Sequence, residues 1–184
     1  VLQRDGVDGD MQYVAIDPSP EGGKTQVLAK ADMLSPALYP DASWIAYVPL
    51  APASDNVGVG FSQKSTRGLS LFKRGGKTKL YRPDLPGASN QPAFSADGKF
   101  LYFVQYLNDT NGDSAIDGDD NAVVFRVPFD RKADHPTFGS TPEQMTSARW
   151  SCMYPRHEDG SLLLTCSREG SLDIYRIPEF GMVP

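Results

Sequence analysis

Apolar residues along this chain recur in short runs separated by Gly, Pro, Asp and Asn, and no run keeps the 3.6-residue period of an amphipathic helix. The runs MQYVAIDP (11–18), EGGKTQVLAK (21–30), LSLFKR (69–74), GGKTKLYRP (75–83), AVVFRVPFD (122–130), PEQMTSAR (142–149) and SLDIYRIP (171–178) each predict a strand. Three longer stretches, 35–48, 91–104 and 150–166, each predict two strands around a tight turn. Residues 1–10, VLQRDGVDGD, are polar and predict a turn, so the first unit opens as a two-stranded pair. About thirteen strands follow from this pattern, and no helix.

The hairpins repeat. SPALYPDASWIAYV (35–48) aligns without a gap on QPAFSADGKFLYFV (91–104), Pro36 meeting Pro92, Asp41 meeting Asp97 and Tyr47 meeting Phe103 at an offset of 56 residues. Gly22-Gly23-Lys24-Thr25 returns as Gly75-Gly76-Lys77-Thr78 at a similar offset. In the last copy, WSCMYPRHEDGSLLLTC, Asp159-Gly160 takes the place of Asp97-Gly98, in a turn expected to be about two residues longer. Four antiparallel strands per repeat of this length describe a propeller blade. The expected fold is therefore an all-β propeller of four-stranded blades, with a β-sandwich as the competing architecture. Its parts are 1–32 (the end of a blade), 33–89 (a blade), 90–147 (a blade with an acidic loop) and 148–184 (an incomplete blade). That makes about three and a half blades, fewer than the roughly 4–8 of a closed ring. Open edges invite pairing, so the chain is expected to be a piece of a longer protein or to close its ring with another chain.

Composition narrows the picture modestly. The 184 residues are 40% hydrophobic and 10% aromatic, enough for a sizeable core. No apolar run reaches the roughly 20 residues that a membrane-spanning helix requires, so no membrane insertion is expected. The first residues, VLQRDG, are neither a start methionine nor a signal peptide, which points to a segment upstream. The net charge of −5 resides entirely in one place: 109–120 holds five aspartates and no Lys or Arg, and the rest of the chain balances 18 acids with 18 bases. No basic face is implied, and nucleic acid is not an expected partner. Cys152 and Cys166 match no zinc spacing. Two buried free thiols are the favoured reading and a single disulfide the other, because counting outward from the intervening turn places them on opposite faces of the sheet.

The hairpin Pro92-x-Phe94-Ser95-x-Asp97-Gly98-Lys99, with Phe103, resembles the repeat of TolB-type propellers, as do the strands ending VFRVP and IYRIP and the segment Gln144-Met145-Thr146. The resemblance spans about residues 11–178. Ala42 stands where the turn glycine is usual, and the N-terminal domain that accompanies the propeller in TolB is not visible. The resemblance implies a periplasmic or extracellular, non-catalytic scaffold that binds protein partners. An alternative it also implies is the accessory propeller of a larger, prolyl-oligopeptidase-like hydrolase.

The acidic loop carries the sharpest chemistry. Counted from Asp109, oxygen-bearing side chains fall at positions 1, 3, 5, 9 and 12: Asp109, Asn111, Asp113, Asp117 and Asp120. The backbone carbonyl of Ala115 stands at position 7 and Ile116 at the apolar position 8. Calcium takes six to eight oxygen ligands and suits this spacing, which is similar to dockerin and EF-hand-like loops. Ser114 replaces the usual glycine at position 6, and Asp120 replaces a bidentate Glu. A structural Ca2+ is expected, against the alternative of a solvated acidic turn. Asp5, Asp8 and Asp10 could be the end of a second such loop or an ordinary polar turn. His135 and His157 lack a nucleophile at recognisable spacing, and no G-x-S-x-G is present, so no catalytic residue is assigned. Trp44, Phe100, Tyr102 and Phe103 read as core between blades, and Trp150 reads alike.

Overall fold

A computed structural model describes residues 2–5, 11–16, 25–30, 33–49, 68–116, 118–137, 139–168 and 170–178. The chain divides into two compact units, residues 1–33 and 34–184. In the first, β1 (Leu2–Asp5), β2 (Met11–Ile16) and β3 (Thr25–Lys30) form an antiparallel sheet in that order. β1 corrects the expectation of a turn over residues 1–10, because Leu2–Asp5 pairs with Met11–Val14. A four-residue strand defined by backbone pairing is too short to show alternation. With it the described strands number fourteen. Asp8, Asp10 and most of the first GGKT turn lie outside the described residues, as does nearly all of the 49–68 loop.

Apart from Met33, the first residue of β4, the second unit holds three sheets, each an antiparallel meander in chain order. The first is β4 (Met33–Leu38), β5 (Trp44–Pro49), β6 (Leu69–Lys73) and β7 (Thr78–Tyr81). The second is β8 (Ser89–Phe94), β9 (Phe100–Tyr106), β10 (Ala122–Pro128) and β11, reduced to Glu143–Gln144 where a longer strand was expected. The third has three strands: β12 (Ser151–Glu158), β13 (Ser161–Arg168) and β14 (Ser171–Pro178). These are propeller blades, and the 56-residue repeat is one blade long.

Two apolar layers join the sheets. Leu101 and Phe103 of β9 and Val123, Phe125 and Val127 of β10 pack with Trp44, Ala46, Leu69 and Leu71 of the preceding sheet. Their neighbours Tyr102, Val104, Ala122 and Val124 point the other way, against Cys152, Leu162, Leu164 and Cys166. Alternate side chains leave opposite faces of a strand. A strand covered on both faces therefore reads as an unbroken apolar run, as FLYFV and AVVF do.

A bend before proline recurs in each sheet of the second unit. Ser35, Gln91 and Tyr154 have positive φ (48°, 43° and 55°), and each precedes a proline, Pro36, Pro92 or Pro155. The ladders of β8 and β12 slip by one residue at these positions, and the Tyr154 N–H donates to Gln91 Oε1 at 2.7 Å, tying two bulges together. The bulge overturns two expectations. The β12–β13 turn is not longer but a two-residue turn, Asp159-Gly160, with both residues at positive φ, as a type I′ hairpin requires. The extra length sits in the bulge. The slip also changes the parity of the pairing, so Cys152 comes directly opposite Cys166. The two form a disulfide, where free thiols on opposite faces were expected.

Candidate functional site

Successive connections in a meander alternate between the two ends of a sheet. The acidic loop (107–121) therefore shares one end with the link 82–88, and the turns 39–43, 74–77, 95–99 and 129–142 lie at the other. The chemistry of the second unit gathers at these two ends.

At the first end the acidic loop is built of turns in which carboxylate and amide oxygens accept backbone N–H groups. Asp109 Oδ1 accepts the Gly112 N–H (2.6 Å) and its Oδ2 the Ser114 N–H (2.7 Å). Asn111 Oδ1 accepts the Asp113 N–H (2.9 Å), and Asp113 Oδ1 the Ala115 N–H (2.8 Å). Asn111 Nδ2 reaches Asp113 Oδ2 at 3.4 Å. Ser114, at the sixth position, has φ 70°, the left-handed turn for which a glycine is usual in calcium loops. Ile116 lies over the link, where a Cβ on Gly87 would crowd its Cγ2. Asp120 behaves differently. It is 5% exposed, and its Oδ1 accepts both the N–H and the hydroxyl of Thr110 (2.6 and 3.0 Å). Thr110 Oγ1 in turn accepts the Asn121 N–H (2.8 Å), closing the neck of the loop.

The structure thus brings Asp109, Asn111 and Asp113 together on the outer turn, with Ala115 following, and holds Asp120 at the neck. Asp117 lies outside the described residues. Among the described residues no three His, Cys, Asp or Glu side chains form a metal-binding cluster. The donor set is still all oxygen, the preference of a hard cation. The outer-turn side chains are exposed to solvent.

At the other end, the hairpin turns are held by their aspartates. Asp97 Oδ1 accepts the Ser95 hydroxyl (2.7 Å) and the Lys99 N–H (3.0 Å), and its Oδ2 pairs with Lys99 Nζ at 2.8 Å. The Lys99 bonds foremost hold the Asp97 carboxyl far below the usual carboxylate range. Asp41 accepts the Ser43 N–H (2.9 Å) and pairs with Arg131 from the neighbouring blade. His157 packs its ring on Tyr102 and accepts the Ala96 N–H at Nδ1 (3.1 Å).

The same end holds a feature the sequence did not reveal. A cleft of about 350 Å³ is lined by Trp44, Lys73, Lys77 and Lys79 of one blade and Lys132 and Asp134 of the next. Lys79 pairs with Asp134 at 3.1 Å, and this contact lowers the Asp134 pKa. The Trp44 indole N–H donates to the Arg131 carbonyl (3.2 Å), so the 129–142 connection is strapped to the neighbouring sheet. These lysines lie up to 59 residues apart in the chain, and only the repeated Lys24 and Lys77 hinted at a pattern.

No family model and no curated protein sequence matches the chain. Among solved structures, it is similar to TolB from Acinetobacter baumannii at 22% identity and a TM-score of 0.53, over 92% of this chain and 35% of that one. It is also similar to the tricorn protease at 14% identity and a TM-score of 0.50, over 84% of this chain and 17% of that one. The chain spans about a third of the TolB structure's length. These likenesses establish the propeller fold.

Proposed function

We propose that this chain is part of a non-catalytic β-propeller that binds another protein through the loops at its sheet ends, with calcium stiffening one of those loops. The observation that carries the calcium reading is the outer turn of the acidic loop. Asp109, Asn111 and Asp113 are held side by side there by bonds to backbone N–H groups, and Ser114 takes the left-handed turn of a calcium loop. Asp109, Asn111, Asp113, Asp117 and the Ala115 carbonyl would hold the ion. Asp120, bonded to Thr110, would act at the neck of the loop. The ion would supply charge compensation for five aspartates and a fixed path between β9 and β10.

The disulfide supports an oxidising location, periplasmic or extracellular. No helix of the described residues is long and apolar enough to cross a membrane. The likeness to TolB supports a protein partner, and that to the tricorn protease is the reason to test for attached hydrolase chemistry.

Melting temperature in calcium and in chelator tests the metal. Calcium at about a hundred times its Kd adds roughly 2.7 kcal/mol, about 5–10 °C for a protein of this size. An unchanged melting temperature, with no bound ion by elemental analysis, discards the site. Labelling of the full-length protein by a fluorophosphonate serine-hydrolase probe is expected to fail. Specific labelling would sink the non-catalytic reading.

A further inference from the structure

The lysine cleft is a local excess of positive charge in a protein whose net charge is −5. Its one lining carboxylate, Asp134, is taken by Lys79. Of the turn carboxylates at this end, Asp41 pairs with Arg131, Asp97 pairs with Lys99, and Asp130 accepts the Lys132 backbone N–H at 2.9 Å. Among the described residues, Lys73, Lys77 and Lys132 form no ion pair within 4.0 Å, although Lys73 lies close enough to Asp134 to help lower its pKa, and all three are exposed. The cleft is also pre-shaped. Lys73 Nζ lies 5.6 Å from the centre of the Trp44 ring, Trp44 is buried, and the strap through Arg131 fixes the opposite wall. An ammonium group held over an aromatic ring, as that of Lys73 is, loses less freedom on meeting an anion than a lysine on a flat surface.

We infer that this cleft docks an acidic segment of a partner protein, an inference that rests on the protein-binding reading above and names the partner's chemistry. Two or three carboxylates match the ammonium groups of Lys73, Lys77 and Lys132, and about 350 Å³ is at the small end of binding sites, enough for a few side chains. A nucleic-acid strand fits less well. Its continuous phosphates would run on to Asp41, Asp97 and Asp130 at the same end, and the cleft lining offers no arginine fork for phosphate.

Fluorescence anisotropy of the full chain with a labelled Glu/Gly-repeat peptide tests this. The peptide is expected to bind, with affinity falling on the order of ten-fold from low to high salt as the charges are screened. A Lys/Gly-repeat peptide is expected not to bind. The triple variant K73E/K77E/K132E is expected to weaken binding by at least about ten-fold, and K73Q/K77Q/K132Q by less. R82Q, in the 82–88 link at the opposite end, is expected to leave it unchanged. Circular dichroism of each variant checks the fold. The inference is overturned by no Glu/Gly binding, by equal binding to the triple glutamate variant when that variant is folded, or by tighter binding of an RNA oligonucleotide. Fluorophosphonate labelling reads the non-catalytic assignment independently, so loss of peptide binding without labelling removes only the cleft.

Discussion

The sheets β8–β11 and β12–β14 share a hairpin and a proline bulge but differ in what covers them. In β9 and β10 both faces are buried, the odd-numbered residues against one neighbouring sheet and the even-numbered against the other. In β14, Tyr175 and Ile177 turn toward the shared core, while Leu172 and Ile174, on the other face, are 64% and 79% exposed. The same strand chemistry thus has different energetic weight in each sheet. An apolar residue stabilises by the area it removes from water, and only the sandwiched sheet removes it on both sides.

Substitution breaks this comparison most forcefully at Phe103 and Ile174. Phe103→Ala is expected to cost about 3–5 kcal/mol, and Ile174→Ala to stay within about 0.5 kcal/mol, by urea denaturation of the full chain. Equal losses would mean that the outer face of β14 is covered in the folded protein. The disulfide comes next. The double variant C152S/C166S removes a bridge between residues 14 apart, expected to cost about 3 kcal/mol, and the effect should vanish when wild type is compared under reducing conditions.

The two hairpin turns sharpen the contrast further. Gly98 and Gly160 both have positive φ, but a Cβ on Gly98 would run into the Tyr39 hydroxyl of the preceding blade, whereas one on Gly160 meets nothing within 4 Å. Gly98→Ala is expected to cost about 2–3 kcal/mol and Gly160→Ala about 1 kcal/mol. Matching losses would show that backbone strain alone matters. The smallest effect concerns pH. Asp97 has a lowered folded pKa, so its contribution is present above the unfolded value of 3.8 and is lost as pH falls below it. The side chain is 39% exposed and its partner Lys99 74%, so Asp97→Ala is expected to cost under about 1 kcal/mol at neutral pH. That cost should shrink in denaturation curves taken below about pH 4.

Much of this was legible from residues. The alternating runs and the return of Pro-x-x-x-x-Asp after 56 residues give antiparallel blades, because a strand's period and a turn's chemistry are local properties. The acidic loop was legible for the same reason. Oxygen spacing over twelve residues needs no knowledge of the rest of the chain, whereas the left-handed backbone of Ser114 was not read from it, the serine having stood only as a departure from the usual glycine.

Tertiary structure decided the rest. One bulged residue before Pro155 shifted the register of a whole strand pair, which set the turn length and brought Cys152 opposite Cys166. A one-residue slip exchanges the two faces of a strand, and a sequence does not announce where the slip falls. The lysine cleft was hidden for a different reason. Its charges come from separate blades, and their joint field exists only after those blades pack against each other. Local repetition fixed the blade, and packing between blades set the register, the bridge and the distribution of charge between the two ends.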